Sequence, residues 1–311
     1  MAFSTLRNNK LRSLLTIVGV IIGVITVMLI SSMISGINVA VEKQIESFGT
    51  NSIFLYKYNV GIQIGRRSRE ERMRKPLTLD DARAIKELST VETAVPFLDV
   101  SSNRWGQKIL VKGENGKQSS SVSLQGTTPD IEKTTTEVLL SGRWFTRGEN
   151  ETKSDVALIG QQVVETYFPY ASPLGEKLEI GGREFRIIGV LEKREELFGG
   201  DGSSSSSNVI YMPMGSALRI KPNSDDLFIL AVAKNGFLDE AKDQVQDLMR
   251  VRRQVPFDQP NNFSMETAAS IIDQLKYINK GLYQSMFVIY SVGLKIGGIG
   301  LMNIMIVSVT E

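Results

Sequence analysis

The sequence contains neither cysteine nor histidine among its 311 residues. Without cysteine the chain has no disulfide, no thiolate nucleophile and no cysteine-based metal site. Without histidine it lacks the commonest general base and the commonest transition-metal ligand. The net charge is only +2, which gives no electrostatic support for nucleic-acid binding. We therefore expect no nucleic-acid partner. Enzymes that depend on a cysteine nucleophile or on a histidine general base are excluded.

Motifs for phosphate binding and acid–base catalysis are also missing. Residues 199–202 (GGDG) lack the Lys-Ser/Thr pair and the following helix of a phosphate-binding loop. The carboxylates are scattered among basic neighbours, and no spacing singles out an acid–base pair. We predict no catalytic, cofactor-binding or metal-binding residue in this chain, and no enzyme activity of its own.

Two long apolar segments lie near the ends of the chain, at about residues 14–34 and 282–309. Each can cross a bilayer as a helix, which takes about 20 apolar residues. A cleaved signal peptide is the alternative for the first segment, but its apolar run exceeds the length of a signal and no clear cleavage site follows. Arg7, Lys10 and Arg12 precede it, so we expect a cytoplasmic N-terminus and an extracytoplasmic middle region.

Small residues at helical spacing occur in both segments. Glycines four apart allow two helices to approach closely in lipid, although membrane helices are rich in glycine in any case. The candidate packing positions are Gly19, Gly23, Gly293, Gly297 and Gly300, with Asn303 as a possible hydrogen-bonding group between helices.

Lys295 lies near the middle of the second segment. An ionisable residue at that depth is costly and marks a functional position by default. The alternative is that the helix tilts or bends and Lys295 extends to the membrane interface.

The region between the segments predicts an α+β domain. Residues 78–81 (TLDD) carry the signature of a helix N-terminus, and residues 174–190 indicate a β-hairpin around a Gly-Gly turn. We also expect a helix over 238–251 and a long helix over 263–282. The basic loop 61–75 and the serine-rich loop 199–208 are candidate contact points for a partner or for lipid headgroups, with ordinary solvated loops as the alternative.

Composition shifts near residues 126 and 227 suggest that one subdomain is inserted into another. We predict an organisation along the chain in this order: a cytoplasmic N-terminus at 1–13, a transmembrane helix at 14–38, a mixed α/β subdomain from 39–126 and 227–281, an inserted β-rich subdomain at 127–226, and a second transmembrane helix at 282–309.

Several strings in fixed order resemble those of the MacB/FtsX-like ABC transporter permeases. The opening resemblance lies at residues 6–24 (LRNNKLRSLLTIVGVIIGV). Strings in the middle region are 142–145 (GRWF), 156–160 (VALIG), 168–169 (FP), 173–175 (PLG) and 187–190 (IIGV). Residues 297–305 (GGIGLMNIM) and 307–311 (VSVTE) resemble the family's second transmembrane helix. The resemblance covers nearly the whole chain.

The resemblance implies a four-helix permease with a large extracytoplasmic domain between its first two helices. That domain would have an α/β sandwich subdomain, called Porter, and an inserted β-rich subdomain, called Sabre. The family acts as dimers in the bacterial plasma membrane, and cytoplasmic ATPase subunits with ATP and Mg²⁺ move the external domain by mechanotransmission. The implied partners are an ABC ATPase subunit, a second copy or a paralogous permease, a periplasmic adaptor protein and the lipid bilayer.

Three features qualify this expectation. The sequence stops at Glu311 without the third and fourth helices, and no ATPase sequence precedes Met1, so we expect a C-terminally truncated permease whose ATPase is a separate chain. Lys295 stands where relatives usually have an aliphatic residue. The function implied is that of an export permease, with an FtsX-like transmitter controlling cell-wall hydrolases, or an antibiotic-peptide sensing and resistance module, as alternatives.

Overall fold

The computed structural model describes residues 51–59, 67–103, 106–134, 138–192, 207–222 and 227–267, together with separate helical positions within 21–36 and 269–302. The chain divides into two compact units, one comprising residues 43–271 and the other residues 1–42 with 272–311.

The larger unit contains twelve strands in its described residues. They are β1 (Ser52–Tyr56), β2 (Val91–Asp99), β3 (Val111–Gly113), β4 (Gln118–Ser119), β5 (Ser123–Thr127), β6 (Leu139–Gly142), β7 (Val156–Ile159), β8 (Lys177–Ile180), β9 (Arg183–Leu191), β10 (Val209–Pro213), β11 (Leu227–Ala233) and β12 (Ser264–Thr267). The α-helices are α1 (Arg69–Met73), α2 (Leu79–Lys86), α3 (Arg147–Glu151), α4 (Gln161–Tyr167), α5 (Met214–Ile220) and α6 (Leu238–Arg252), and a 3₁₀ helix spans Pro129–Lys133.

All twelve strands join one mixed sheet in the order β12-β1-β11-β2-β5-β10-β7-β9-β8-β3-β4, with β6 paired to β9. Two pairs are parallel, β5 with β10 and β7 with β9, and the remaining pairs are antiparallel. The sheet is therefore continuous through both predicted subdomains. The division at residues 126 and 227 stays a prediction.

Alternation along the strands creates apolar clusters on both faces of the sheet. In β1, Ile53 and Leu55 belong to one buried cluster and Phe54 to the other, as expected when successive side chains point to opposite faces. The first cluster includes residues of α2, α5 and α6. The second contains an aromatic row in which the Phe97 and Phe228 rings stack at 4.9 Å and the Tyr56 and Phe228 rings at 5.5 Å.

The local sequence signals place most elements correctly. The predicted helix at residues 78–81 is α2, whose first turn has a capping box between Thr78 and Asp81. The predicted hairpin is β8 and β9, joined at Gly181 and Gly182, which both have positive φ. The helix predicted over 238–251 is α6.

The helix predicted over residues 263–282 was wrong at its start. Residues Ser264–Thr267 form β12, which pairs with β1 so that Tyr56 faces Ser264. Helical positions begin at residue 269, after Thr267 and Ser270 exchange hydrogen bonds of 2.8 and 3.2 Å between side-chain oxygens and backbone N–H groups. Pairing at the sheet edge outweighs the local helical pattern because it satisfies backbone groups along the free edge of β1.

The described positions of the smaller unit are helical within 21–36 and 273–302. Large apolar side chains are exposed there, namely Ile21, Ile25, Met28, Leu29, Phe287, Val288 and Met302. Among the residues that the structure describes, no helix is both long and apolar enough to cross a bilayer. Most positions of the two predicted spans lie outside the described residues.

Candidate partner-facing surface

A short helix, α1, which carries two arginines and two glutamates, is fixed against the end of β1. Its N-cap is Ser68, whose Oγ accepts from the Glu71 N–H at 3.1 Å. Glu71 is buried, and its Oε1 accepts from the Asn59 N–H at 2.8 Å. Arg74 donates to Asn59 Oδ1 at 2.9 Å and to the Lys57 carbonyl. Part of the loop predicted over 61–75 is therefore an anchored helix.

Arg253 connects this region to the C-terminal end of α6. Its buried guanidinium donates to the carbonyls of Lys75 and Pro76 and, at 2.6 Å, to Asn262 Oδ1. Burial lowers its pKa from the ordinary arginine value, although an arginine remains protonated in proteins. Nearby, Arg252 Nε donates to Asp81 Oδ1 at 2.7 Å, which joins α6 to the first turn of α2.

Arg250 organises the loop that follows α6. It donates to the carbonyls of Pro256, Phe257 and Gln259 and to Asn261 Oδ1, with distances from 2.6 to 3.2 Å. The loop therefore closes around one guanidinium. It leaves the Phe257 ring fully exposed at its tip.

We define the arginine-braced surface as α1, residues 74–76 and the loop 253–263. This surface contains five basic and three acidic side chains: Arg69, Arg72, Arg74, Lys75 and the buried Arg253 against Glu70, Glu71 and Asp258. Exposed Met73 and Phe257 add apolar contacts. A fixed basic surface with exposed apolar anchors suits a partner of complementary acidic charge.

The surface lies at one end of the β1–β12 pair. The chain enters β1 at Ser52 and leaves β12 at Thr267, and these two residues lie at the same end because the strands are antiparallel. The braced surface follows Tyr56 and precedes Ser264. It is therefore at the end of the strand pair opposite to the point of entry and exit.

The predicted site residues fall mostly outside the described residues, namely Gly19, Gly23, Gly293, Gly297, Gly300 and Asn303. Their roles in helix packing stay predictions. Lys295 is described, and it occupies a helical position with an exposed side chain. Of the loop 199–208, only Ser207 and Asn208 are described, and both are buried. No group of three or more potential metal ligands occurs within the described part of the chain.

The three arginines at the end of α6 were not predicted from the sequence. Residues 250–253 (RVRR) end an amphipathic helix, where basic side chains are common because they interact with the helix dipole. The signal that distinguishes them is the polar loop rich in asparagine and proline at 256–262, which supplies carbonyl and amide acceptors within reach.

Comparison with known sequences finds a family match over most of the chain. Residues 13–248 match the family described as MacB-like periplasmic core domain. The chain is 32% identical to the macrolide export ATP-binding/permease protein MacB of Bdellovibrio bacteriovorus, covering 99% of this chain and 46% of that protein. It is 29% identical to the pyoverdine export ATP-binding/permease protein PvdT of Pseudomonas putida, covering 97% of this chain and 43% of that protein. The chain thus spans less than half the length of these curated relatives.

Solved structures share the fold. The periplasmic region of MacB from Actinobacillus actinomycetemcomitans superposes with a TM-score of 0.58 at 18% identity, covering 76% of this chain and 97% of that structure. The extracellular domain of the noncanonic ABC-type transporter YknZ from Gram-positive bacteria superposes with a TM-score of 0.51 at 17% identity, covering 70% of this chain and 100% of that domain.

Proposed function

The chain belongs to the family with a MacB-like periplasmic core domain, and on that basis we propose that it is the permease portion of an ABC export system. The observation that carries this proposal is the match over residues 13–248 together with the shared fold of the MacB periplasmic region. The MacB and PvdT relatives support an export role over the FtsX-like alternative.

In this proposal the two end segments lie in the bacterial plasma membrane and the twelve-stranded domain is periplasmic. The exposed apolar side chains at described helical positions near both ends support contact with lipid. A nucleotide-binding subunit supplies ATP hydrolysis with Mg²⁺, and two permease copies, or one copy and a paralogue, form the transport unit. Movement of the periplasmic domains then drives release of substrate by mechanotransmission.

The arginine-braced surface is the proposed contact for a periplasmic adaptor protein. Its loop is fixed by Arg250 before any partner binds, so little ordering of the backbone is needed on docking. Its basic side chains attract an acidic surface from a distance, and this attraction weakens as salt is added.

Affinity purification of the complete permease from its native cells tests the proposal. We expect an ABC ATPase and an adaptor to copurify. Reversing charge with Arg69→Glu and Arg72→Glu removes the adaptor and leaves the ATPase. The matched control, Lys117→Glu with Lys133→Glu, changes net charge equally at exposed positions elsewhere and retains both. Copurification of neither protein contradicts the export assignment, and equal adaptor recovery from both double variants contradicts the docking surface.

A further inference from the structure

A groove of about 570 Å³ lies between α2 on one side and the 3₁₀ helix, α3 and α5 on the other. This volume falls within the range typical of small-molecule sites. Its apolar lining comes from Leu79, Ala82, Ala94, Pro96, Pro129, Met214 and Leu218. Its charged lining comes from Arg83, Lys86, Arg147 and Lys153 against Asp130 and Glu151.

Two of the four basic groups are already neutralised. Lys86 Nζ lies 2.6 Å from Asp130 Oδ2, and this pair is partly buried. Arg83 pairs with Asp80 at 2.7 Å in a well-exposed position. The side chains of Arg147 and Lys153 form no ion pair or hydrogen bond with any residue in the described ranges. The groove therefore combines an apolar floor with uncommitted positive charge.

Lys153 is held over the groove by an uncommon backbone conformation. Its φ is 54°, and it follows the C-cap residue of α3, a position where glycine is usual. Its N–H donates to the Asn150 carbonyl at 3.3 Å, and the Ser154 N–H donates to the Glu149 carbonyl at 2.8 Å. A lysine here is less favourable than glycine for the fold alone, and an observed outlier of this kind motivates a functional hypothesis.

Gly215 of α5 makes room for the Lys153 side chain. A Cβ at position 215 would lie 2.6 Å from Lys153 Cγ and 2.7 Å from the Asn150 carbonyl oxygen. The stem of Lys153 thus rests against bare backbone of α5, and Lys153 lines one wall of the groove.

We propose that this groove binds an amphipathic organic anion, with its apolar body on the floor formed by Leu79, Met214 and Leu218 and its carboxylate or other anionic group between Arg147 and Lys153. The charges of the groove favour an anionic ligand. Its charged side chains that form no ion pair with the described residues are two cations, Arg147 and Lys153, and one carboxylate, Glu151. This proposal does not depend on the proposed export function. Every residue of the site lies in the larger folded unit, residues 43–271.

The test uses 4-benzoylbenzoate, an aromatic carboxylate whose ketone inserts into nearby C–H bonds on irradiation, with the complete protein in lipid nanodiscs. Mass spectrometry then locates the label. We expect saturable labelling of the peptides that contain Leu79, Met214 or Leu218, and about tenfold less labelling by the neutral analogue 4-methylbenzophenone. Equal labelling by the two probes overturns the proposal.

Paired glycine variants separate binding from folding. Lys153→Gly removes the cation and relieves the backbone conformation, so its Tm should be no lower than that of the wild type. Combined with Arg147→Gln, it should reduce labelling by 4-benzoylbenzoate about tenfold. The matched control is Gln254→Gly, which relieves the other described positive φ of a non-glycine residue, 52°, and should leave labelling unchanged. Unchanged labelling in the Arg147→Gln/Lys153→Gly variant also overturns the proposal.

Discussion

Arg253 shows how one side chain joins distant parts of the sequence. It is a buried charge whose bonds to Lys75, Pro76 and Asn262 hold three segments together. Removing such a group takes away its hydrogen bonds to three partners, and a hydrogen bond from a charged group contributes about 1.5–3 kcal/mol. Neither the burial of Arg253 nor its partners was evident from the sequence, since those partners are up to 178 positions away.

Replacing Arg253 with methionine, which keeps the apolar stem, should therefore lower stability by about 3 kcal/mol. For a domain of this size that corresponds to a fall in Tm of roughly 8 °C, measurable by circular dichroism of the detergent-solubilised protein. Arg69→Met is the control, because Arg69 is exposed on α1. A Tm for Arg253→Met equal to that of the control would mean that the bracing bonds contribute nothing to stability.

Glu149 makes a pH-dependent contribution to the stability of the folded domain. Hydrogen bonds from Arg143, at 2.6 and 2.8 Å, lower the pKa of this carboxyl to about 2, and bonds from the N–H and hydroxyl of Thr146 act in the same direction against the effect of burial. The folded-state pKa is thus below the ordinary value of 4.5. The stabilisation is complete above that value and is lost as the pH falls towards 2.

We therefore expect the Tm of the wild type to fall more steeply between about pH 4.5 and pH 2 than that of Glu149→Gln. Glu151→Gln, on the same helix at an exposed position, should keep the wild-type slope. Parallel curves for the wild type and Glu149→Gln would show that the Arg143 pair does not persist in solution.

At the scale of elements, α5 packs so closely on β5 that the strand has no room for a side chain at position 126. A Cβ at Gly126 would lie 2.1 Å from the Ala217 Cβ, so Gly126→Ala must separate α5 from the sheet. We expect a loss of about 2 kcal/mol, measured by thermal unfolding. Adding Ala217→Gly should restore most of the loss, apart from about 1 kcal/mol for glycine in a helix.

The control for this pair is Gly148→Ala, whose nearest neighbour would be Thr146 Oγ1 at 3.9 Å, and it should be tolerated. If Gly126→Ala alone were equally harmless, or if Ala217→Gly failed to rescue it, the close packing of α5 on β5 would be incorrect.

Elements with strong local signals could be predicted, and elements defined by distant partners could not. The capping box of α2 and the Gly-Gly turn between β8 and β9 are each determined by residues that are close in sequence. The short helices α1 and α3 span only five residues each, too few to show a helical period. The start of β12 depends on its pairing with β1, more than 200 positions earlier, and local helical propensity gives no account of it.

At the scale of the whole molecule, the sequence motifs predicted the family and the α+β class of the large domain. The match to the family model confirms the predicted family. The order of the sheet was beyond prediction, because β3 pairs with β8, and β4 with β3, at the edge opposite to β12. Such pairings depend on long-range packing of apolar faces. The arginine-braced surface and the groove also arise only when distant segments meet.

We propose that ATP hydrolysis by a partner subunit moves the periplasmic domains of paired permeases. These 311 residues contain no cysteine, so a Lys242→Cys substitution on the exposed side of α6, with any cysteine elsewhere in the complex replaced by serine, allows specific spin labelling of the complete permease with its ATPase. A second label at Lys177→Cys provides a distance within one domain as a control.

Pulsed electron–electron double resonance then measures the distance between the Lys242→Cys labels of the two copies, with and without vanadate-trapped nucleotide. The account predicts a shifted distance between copies and an unchanged distance within the domain. Superimposable distance distributions between copies in the two states would contradict it.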